Sequence, residues 1–283
     1  MGVLKIVMGC LALLRAVEGL VIGHNIPYVI LPGFGNCAQD YVDPFNKGEE
    51  GLVGSLEQRG VPSFVLPLKR SDWFKVLRGL GSKDFWEGKA PPTGPAYKWY
   101  LDLVKKTVDQ ARETCGSDRV VLCGHSAGGW LGRAVMGDGT WSEGKATSDV
   151  VAGLVTLGAP HFPPPVETTN DMTRGALTFT SKMYPNCYLS EKGIFYVTVA
   201  GTAVEGSEEA PRGDRWRFAF ESYKTVAGDG NQIGDGYVPE GSAHLDGAVQ
   251  ISLKDVYHSV DTPEMWYGSE KVVDRWLEVS RSG

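Results

Sequence analysis

Short runs of Val, Ile and Leu recur along the chain at 26–31, 61–66, 119–123, 150–157, 194–200 and 249–253. Each reads as nearly all apolar, which is the pattern of strands covered on both faces. Longer stretches of helical period separate them. The clearest has Tyr97, Tyr100, Leu101, Val104, Val108 and Ala111 along one stripe, with Lys105, Lys106 and Asp109 elsewhere, and it stops before Gly116. Residues 128–136 and 270–279 also read as helices, whereas 90–95 and 161–165 are proline-rich loops. Strands alternating with helices predict an α/β fold with a mostly parallel sheet and helices on both faces.

Composition narrows the class. The chain has 283 residues, 42% of them hydrophobic and 22% charged, which excludes a disordered chain and suits one domain over 21–283. Lys+Arg number 28 against Asp+Glu 34, for a net charge of -6, so no basic footprint for a nucleic acid exists. No apolar run reaches the roughly 18–20 residues of a membrane-spanning helix. Five cysteines without a C-x-x-C pair suggest neither a disulfide scaffold nor a zinc site. The scattered histidines give no metal-binding motif, so neither metal nor cofactor is expected. Residues 1–20 stand apart, with Lys5, an apolar stretch from Ile6 to Leu14, Arg15 and small residues after it. They read as a short signal peptide over 1–19, for secretion or an organelle, or as an N-terminal helix lying on the domain of a soluble intracellular protein.

The chemistry begins where the third strand ends. Val120-Val121-Leu122-Cys123 runs into Gly124-His125-Ser126-Ala127-Gly128-Gly129, with a helix following. In a G-x-S-x-G elbow the sharp turn from strand to helix lifts the serine hydroxyl above the sheet. The glycines are needed because strand and helix come too close for side chains. His125 precedes the serine on the strand side and reads as packing.

A serine needs a histidine to take its proton, and the histidine needs a carboxylate to hold its tautomer. Both should follow Ser126 in the order acid, then histidine, on loops after later strands. His24, His125 and His161 come too early. His258, five residues past the last strand, is favoured over His244, which precedes that strand. For the acid, Asp214, Asp229, Asp235 and Asp246 all lie in the right interval. Asp235 in Gly234-Asp235-Gly236 is preferred to Asp229 in Gly228-Asp229-Gly230, although a glycine-flanked aspartate often only caps its own turn. An oxyanion hole would use the amide of Ala127 and that of Phe34, in the glycine-rich turn Leu31-Pro32-Gly33-Phe34-Gly35-Asn36 after the first strand.

These motifs, with Thr156-Leu157-Gly158-Ala159-Pro160-His161 and Gly234-Asp235-Gly236-Tyr237-Val238-Pro239, resemble the α/β-hydrolase superfamily. Within it they resemble the lipase-like branch of lecithin:cholesterol acyltransferases and GPI-inositol deacylases, and the plant and algal lipid esterases related to them. The resemblance spans about 26 to 279. It implies an α/β-hydrolase fold with a cap insertion, here about 161–192, and a Ser126, Asp235, His258 triad. This chain has Pro32-Gly33 where that branch has His-Gly, and an unusually long interval separates Ala200 from Asp235.

The interval 161–192 is rich in apolar residues, and Phe162, Phe179 and Tyr184 are expected to line a substrate tunnel. Trp73, Phe74 and Trp86, in the insertion between Leu66 and Ala96, would edge the same mouth. The expected activity is hydrolysis of carboxylic esters of a lipid through an acyl-enzyme, with peripheral contact to a membrane. Transfer to an alcohol, hydrolysis of a phytyl ester, and a non-catalytic lipid-binding role remain the alternatives.

Overall fold

The computed structural model describes residues 26–44, 51–165, 171–259 and 265–281. The expected leader over 1–20 and His24 lie outside them. Six parallel strands form the main sheet: β1 (Tyr28–Leu31), β2 (Ser63–Val65), β3 (Val120–His125), β4 (Val151–Leu157), β5 (Phe195–Gly201) and β8 (Val249–Leu253), in the order β2-β1-β3-β4-β5-β8. The first two are shorter than the apolar runs that announce them. Pro27 stands just ahead of β1, and Pro62 and Pro67 flank β2, so the ladder loses amide donors there.

Residues along each strand point alternately to the two faces, and both faces are covered on β1, β3, β4 and β5, whereas the edge strand β8, whose sequence Val-Gln-Ile-Ser-Leu alternates, is largely exposed and not covered on both faces as expected. Val29, Leu31, Leu122 and Leu154 pack under α1 (Lys98–Cys115) and α2 (Ala127–Asp138), against Tyr100, Val104, Trp130 and Leu131. Tyr28, Ile30, Val121, Val155 and Val197 pack under α5 (Glu270–Arg281), against Val273, Trp276 and Leu277. Each large apolar side chain buried in this way contributes about 1.5–3 kcal/mol, so most of the stability lies in these two layers. Helix α1 ends at Gly116, whose φ of 60° closes it in the left-handed conformation.

The chain turns to one side after β1 to build β2, then crosses to the other side for β3. Loops leaving β1 and β3 therefore diverge, and the crevice between them at the carboxyl ends of the strands is where ligands bind in open α/β sheets. Two insertions border it. Residues Arg70–Gly81 wind as 3-10 turns that bury Trp73 but expose Phe74, Leu77 and Leu80. Between β5 and β8 lie a two-stranded ribbon, β6 (Val204–Glu205) with β7 (Ile233–Gly234), and α4 (Arg215–Ala227). In the interval 161–192, α3 (Ala176–Met183) packs on α2, and Leu177 and Leu189 join the core beneath α1 and α2. No helix among the described residues is long and apolar enough to cross a membrane.

Candidate active site

Ser126 stands between β3 and α2 with φ 52° and ψ -126°, a conformation costing a non-glycine residue about 1–3 kcal/mol. Its amide donates to the Leu157 carbonyl at 2.9 Å, which pins the elbow to β4. The neighbouring glycines follow from crowding. A Cβ on Gly124 would run into Gly129, one on Gly128 into the Leu31 carbonyl, and one on Gly33 would sit 2.7 Å from Ser126 Cβ. The same Gly33 measurement puts the turn after β1 directly against the serine.

Asp235 and His258 are both buried and meet each other. His258 Nδ1 donates to Asp235 Oδ2 at 2.7 Å, and the His258 amide donates to the Asp235 carbonyl at 3.0 Å. With its proton on Nδ1, the ring keeps Nε2 free to act as a base. Asp235 Oδ2 also accepts the Tyr267 hydroxyl at 2.8 Å, while Oδ1 accepts the amides of Tyr237 and Val238 at 3.0 and 2.8 Å. Burial pushes this carboxyl up, but the nearby His258 and the amide donors outweigh it and hold its pKa below the usual value. Asp235 thus caps its own turn with one oxygen and orients His258 with the other.

Although a ribbon and a helix intervene, Asp235 returns to the end of β5, where a Cβ on Gly201 would lie 3.0 Å from Asp235 Cβ. Asp229 is exposed, and its Oδ1 caps the amide of Asn231 at 3.0 Å. His244 bonds Thr198, in the middle of β5, through Nδ1 at 2.9 Å. Of the alternatives weighed in the sequence, the acid and histidine brought together are therefore Asp235 and His258. Among the described residues no hydrogen bond joins the Ser126 hydroxyl to His258.

A second set of bonds was not legible in the sequence. The Gly33 amide donates to Tyr41 Oη at 3.0 Å, the Tyr41 hydroxyl donates to His125 Nδ1 at 2.8 Å, and His125 Nε2 donates to the His258 carbonyl at 2.7 Å. Burial, helped by the neighbouring His258, lowers the His125 pKa to about 3, so the ring stays neutral and the chain keeps one direction. His125 therefore ties the turn after β1 to the His258 loop, a more specific part than packing. Its ring lies 4.8 Å from that of His258, whose other face stacks on Tyr237 at 4.9 Å.

The Gly33 amide is engaged by Tyr41 and the Asn36 amide by the Gly33 carbonyl, which leaves the amides of Phe34 and Gly35 without a bond among the described residues. Ala127 opens α2, so its amide has no partner within the helix. The Phe34 side chain is 67% exposed and leans on Trp73 at 5.0 Å, and Trp73 Nε1 holds the Asn36 carbonyl at 2.9 Å. Of the three expected tunnel residues, Phe179 and Tyr184 lie away from Ser126. Phe162 packs against the core under α1 and α2. Phe179 and Tyr184 contact each other at 6.1 Å, and a Cβ on Gly137 would run into the Tyr184 ring. Gly137 is eleven residues along α2 from Ser126, or about 16 Å at helical rise, so Tyr184 sits at the opposite end of that helix from the serine. Instead a cavity of about 310 Å³ adjoins His258, with Tyr237, Phe218, Tyr257 and Arg215 in its walls. Among the described residues no group of three or more His, Cys, Asp or Glu could hold a metal ion.

A parallel sheet with a serine elbow at its switch point and a buried Asp-His pair on later strands defines the α/β-hydrolase class. The alpha/beta hydrolase family model matches residues 29–280, and the chain belongs to that family. No curated protein matches it. Solved structures similar to it include a lin2722 gene product of Listeria innocua, at 15% identity over 90% of this chain and 94% of that one, with a TM-score of 0.47. A monoacylglycerol lipase of Paleococcus ferrophilus is similar at 12% identity over 91% and 96%, with a TM-score of 0.47. A poly(3-hydroxybutyrate) depolymerase, LpqC of Bordetella parapertussis, is similar at 14% over 92% and 85%, with a TM-score of 0.46.

Proposed function

We propose that this hydrolase cleaves carboxylic esters of lipids through an acyl-enzyme on Ser126. The observation that carries the reading is the 2.7 Å bond from His258 Nδ1 to a buried, fourfold-bonded Asp235, made by a histidine whose carbonyl is tied to the residue before a strained serine. Ser126 Oγ attacks the ester carbonyl while His258 Nε2 takes its proton. The oxyanion that develops is met by the Phe34 and Ala127 amides, each worth about 3–4 kcal/mol in the transition state. His258 then protonates the departing alcohol, and a water activated by the same nitrogen releases the acid. Asp235 stabilises the imidazolium and Tyr267 holds Asp235 in place.

Support for a lipid comes from exposed aromatic side chains near the site, Phe34 in the turn beside Ser126 and Phe218 in the wall of the cavity at His258. Such side chains suit an acyl chain or a lipid surface better than a small polar ester. The test is labelling by a fluorophosphonate, which reacts only with an activated serine, alongside hydrolysis of a series of acyl esters. The protein should label and turn over esters, and Ser126→Ala should do neither. A folded protein that fails to label would remove the reading.

A further inference from the structure

The cavity beside His258 holds a cation that ester hydrolysis does not require. Arg215, at the start of α4, lies with its guanidinium carbon 4.6 Å from the centre of the Tyr257 ring. Among the described residues no carboxylate lies within ion-pair distance of it, whereas nearby Arg217 is paired with Glu221 at 2.6 Å. A second hollow of about 400 Å³ shares Gly213 and Phe218 with the first and is lined by Arg212 and by the Arg217–Glu221 pair. An aromatic face fixes a guanidinium and leaves its N–H edge open, and that planar fork matches the two oxygens of a carboxylate or a phosphate.

The position of this cation decides which part of a substrate it would meet. The cavity wall includes His258 and its partner Asp235, and because His258 hands its proton to the departing alcohol, the ester-hydrolase reading puts the alcohol part on this side. We propose that this cavity is a subsite for esters whose alcohol carries an anionic oxygen group, a carboxylate or a phosphate, bound by Arg215. Phe218 and Tyr257 contact the carbons between that group and the ester oxygen. The inference rests on the ester-hydrolase reading and names the substrate class of the same site. The reaction stays a plain hydrolysis, with water adding to the acyl carbon and the anionic alcohol leaving with one proton.

The experiment uses the full chain and three esters of one fatty acid, with alcohol parts that are neutral, carboxylate-ended and phosphate-ended. The quantity read is kcat/KM for each anionic ester divided by that for the neutral one. A charge-assisted hydrogen bond at a partly exposed site should give a ratio of about ten at low salt, falling as ionic strength rises. Arg215→Gln should bring the ratio to about one, and Arg215→Lys should keep part of it. The carboxylate and phosphate arms identify which group the fork prefers. Binding is read apart from turnover by titrating the anionic esters calorimetrically into Ser126→Ala, where Arg215→Gln should weaken affinity about tenfold. A ratio near one in the unmodified protein, or a preference that survives Arg215→Gln, overturns the subsite. Loss of fluorophosphonate labelling with calorimetric binding retained would instead overturn the hydrolase reading and leave the subsite standing.

Discussion

Asp235→Asn separates orientation of His258 from mere packing, and the bonds around the carboxylate set the outcome. Asparagine can replace the carboxylate in two ways. With its oxygen at the Oδ1 position it still accepts the Tyr237 and Val238 amides, and its NH₂ then faces His258 Nδ1. In the flipped arrangement two buried amides would face an NH₂, at a cost of about 1–3 kcal/mol each. The first is therefore the populated one. There the NH₂ donates to Nδ1 and forces the proton onto Nε2, the nitrogen that must accept the Ser126 proton. Loss of the correct tautomer reduces kcat by about 10⁴, or ~5.5 kcal/mol. Stability falls less, because the Tyr267 hydroxyl alone loses its acceptor, a change of about 1–2 kcal/mol. The assay is hydrolysis of a soluble short-chain ester at pH 7.5, with circular dichroism and melting to verify the fold. Asp229→Asn, which alters an exposed turn, is expected to stay within twofold of the unmodified protein. More than a tenth of the activity remaining in Asp235→Asn, or a larger loss in Asp229→Asn, would refute the assignment.

Tyr41→Phe should strand the buried Gly33 amide and His125 Nδ1 together, lowering unfolding stability by about 2–4 kcal/mol in urea titrations; an unchanged midpoint would break the proposed tie between the loops. His125 is held near pKa 3 in the folded chain, while the unfolded chain binds that proton near 6.5. The unfolded state therefore takes up the proton first, and stability should fall by up to about 1.4 kcal/mol per pH unit as pH drops from about 6.5 towards 3. His125→Gln should flatten that dependence, and an identical slope in both proteins would contradict it. Gly33→Ala places a Cβ against Ser126 and should cut kcat/KM at least a hundredfold by displacing the Phe34 amide, measured on the same soluble ester. Phe179→Ala and Tyr184→Ala should leave the acyl-chain-length profile unchanged and lower the melting temperature, since both rings pack away from Ser126; a flattened profile would restore them to the substrate path.

Local chemistry made a large part of this protein legible in its sequence. Strand β8 falls at the expected 249–253, and α1 stops at the glycine that closes it. The elbow around Ser126 is legible because its demands, a buried strand, a positive φ and glycines at close approaches, are met within six consecutive residues. Helix α4 escaped notice because only Ala219, Phe220 and Tyr223 on it are buried, too few to impose a helical stripe. The acid could not be chosen locally either, since Asp229 and Asp235 each sit between two glycines. Folding separates the two: the ribbon of β6 and β7 brings Asp235 back to Gly201 and onto His258, and leaves Asp229 in an exposed turn. The parts played by Tyr41, His125 and Tyr267 belong wholly to the tertiary structure. Their bonds join residues 84, 133 and 32 positions apart, and a hydrogen bond over such separations leaves no periodicity or motif in the chain.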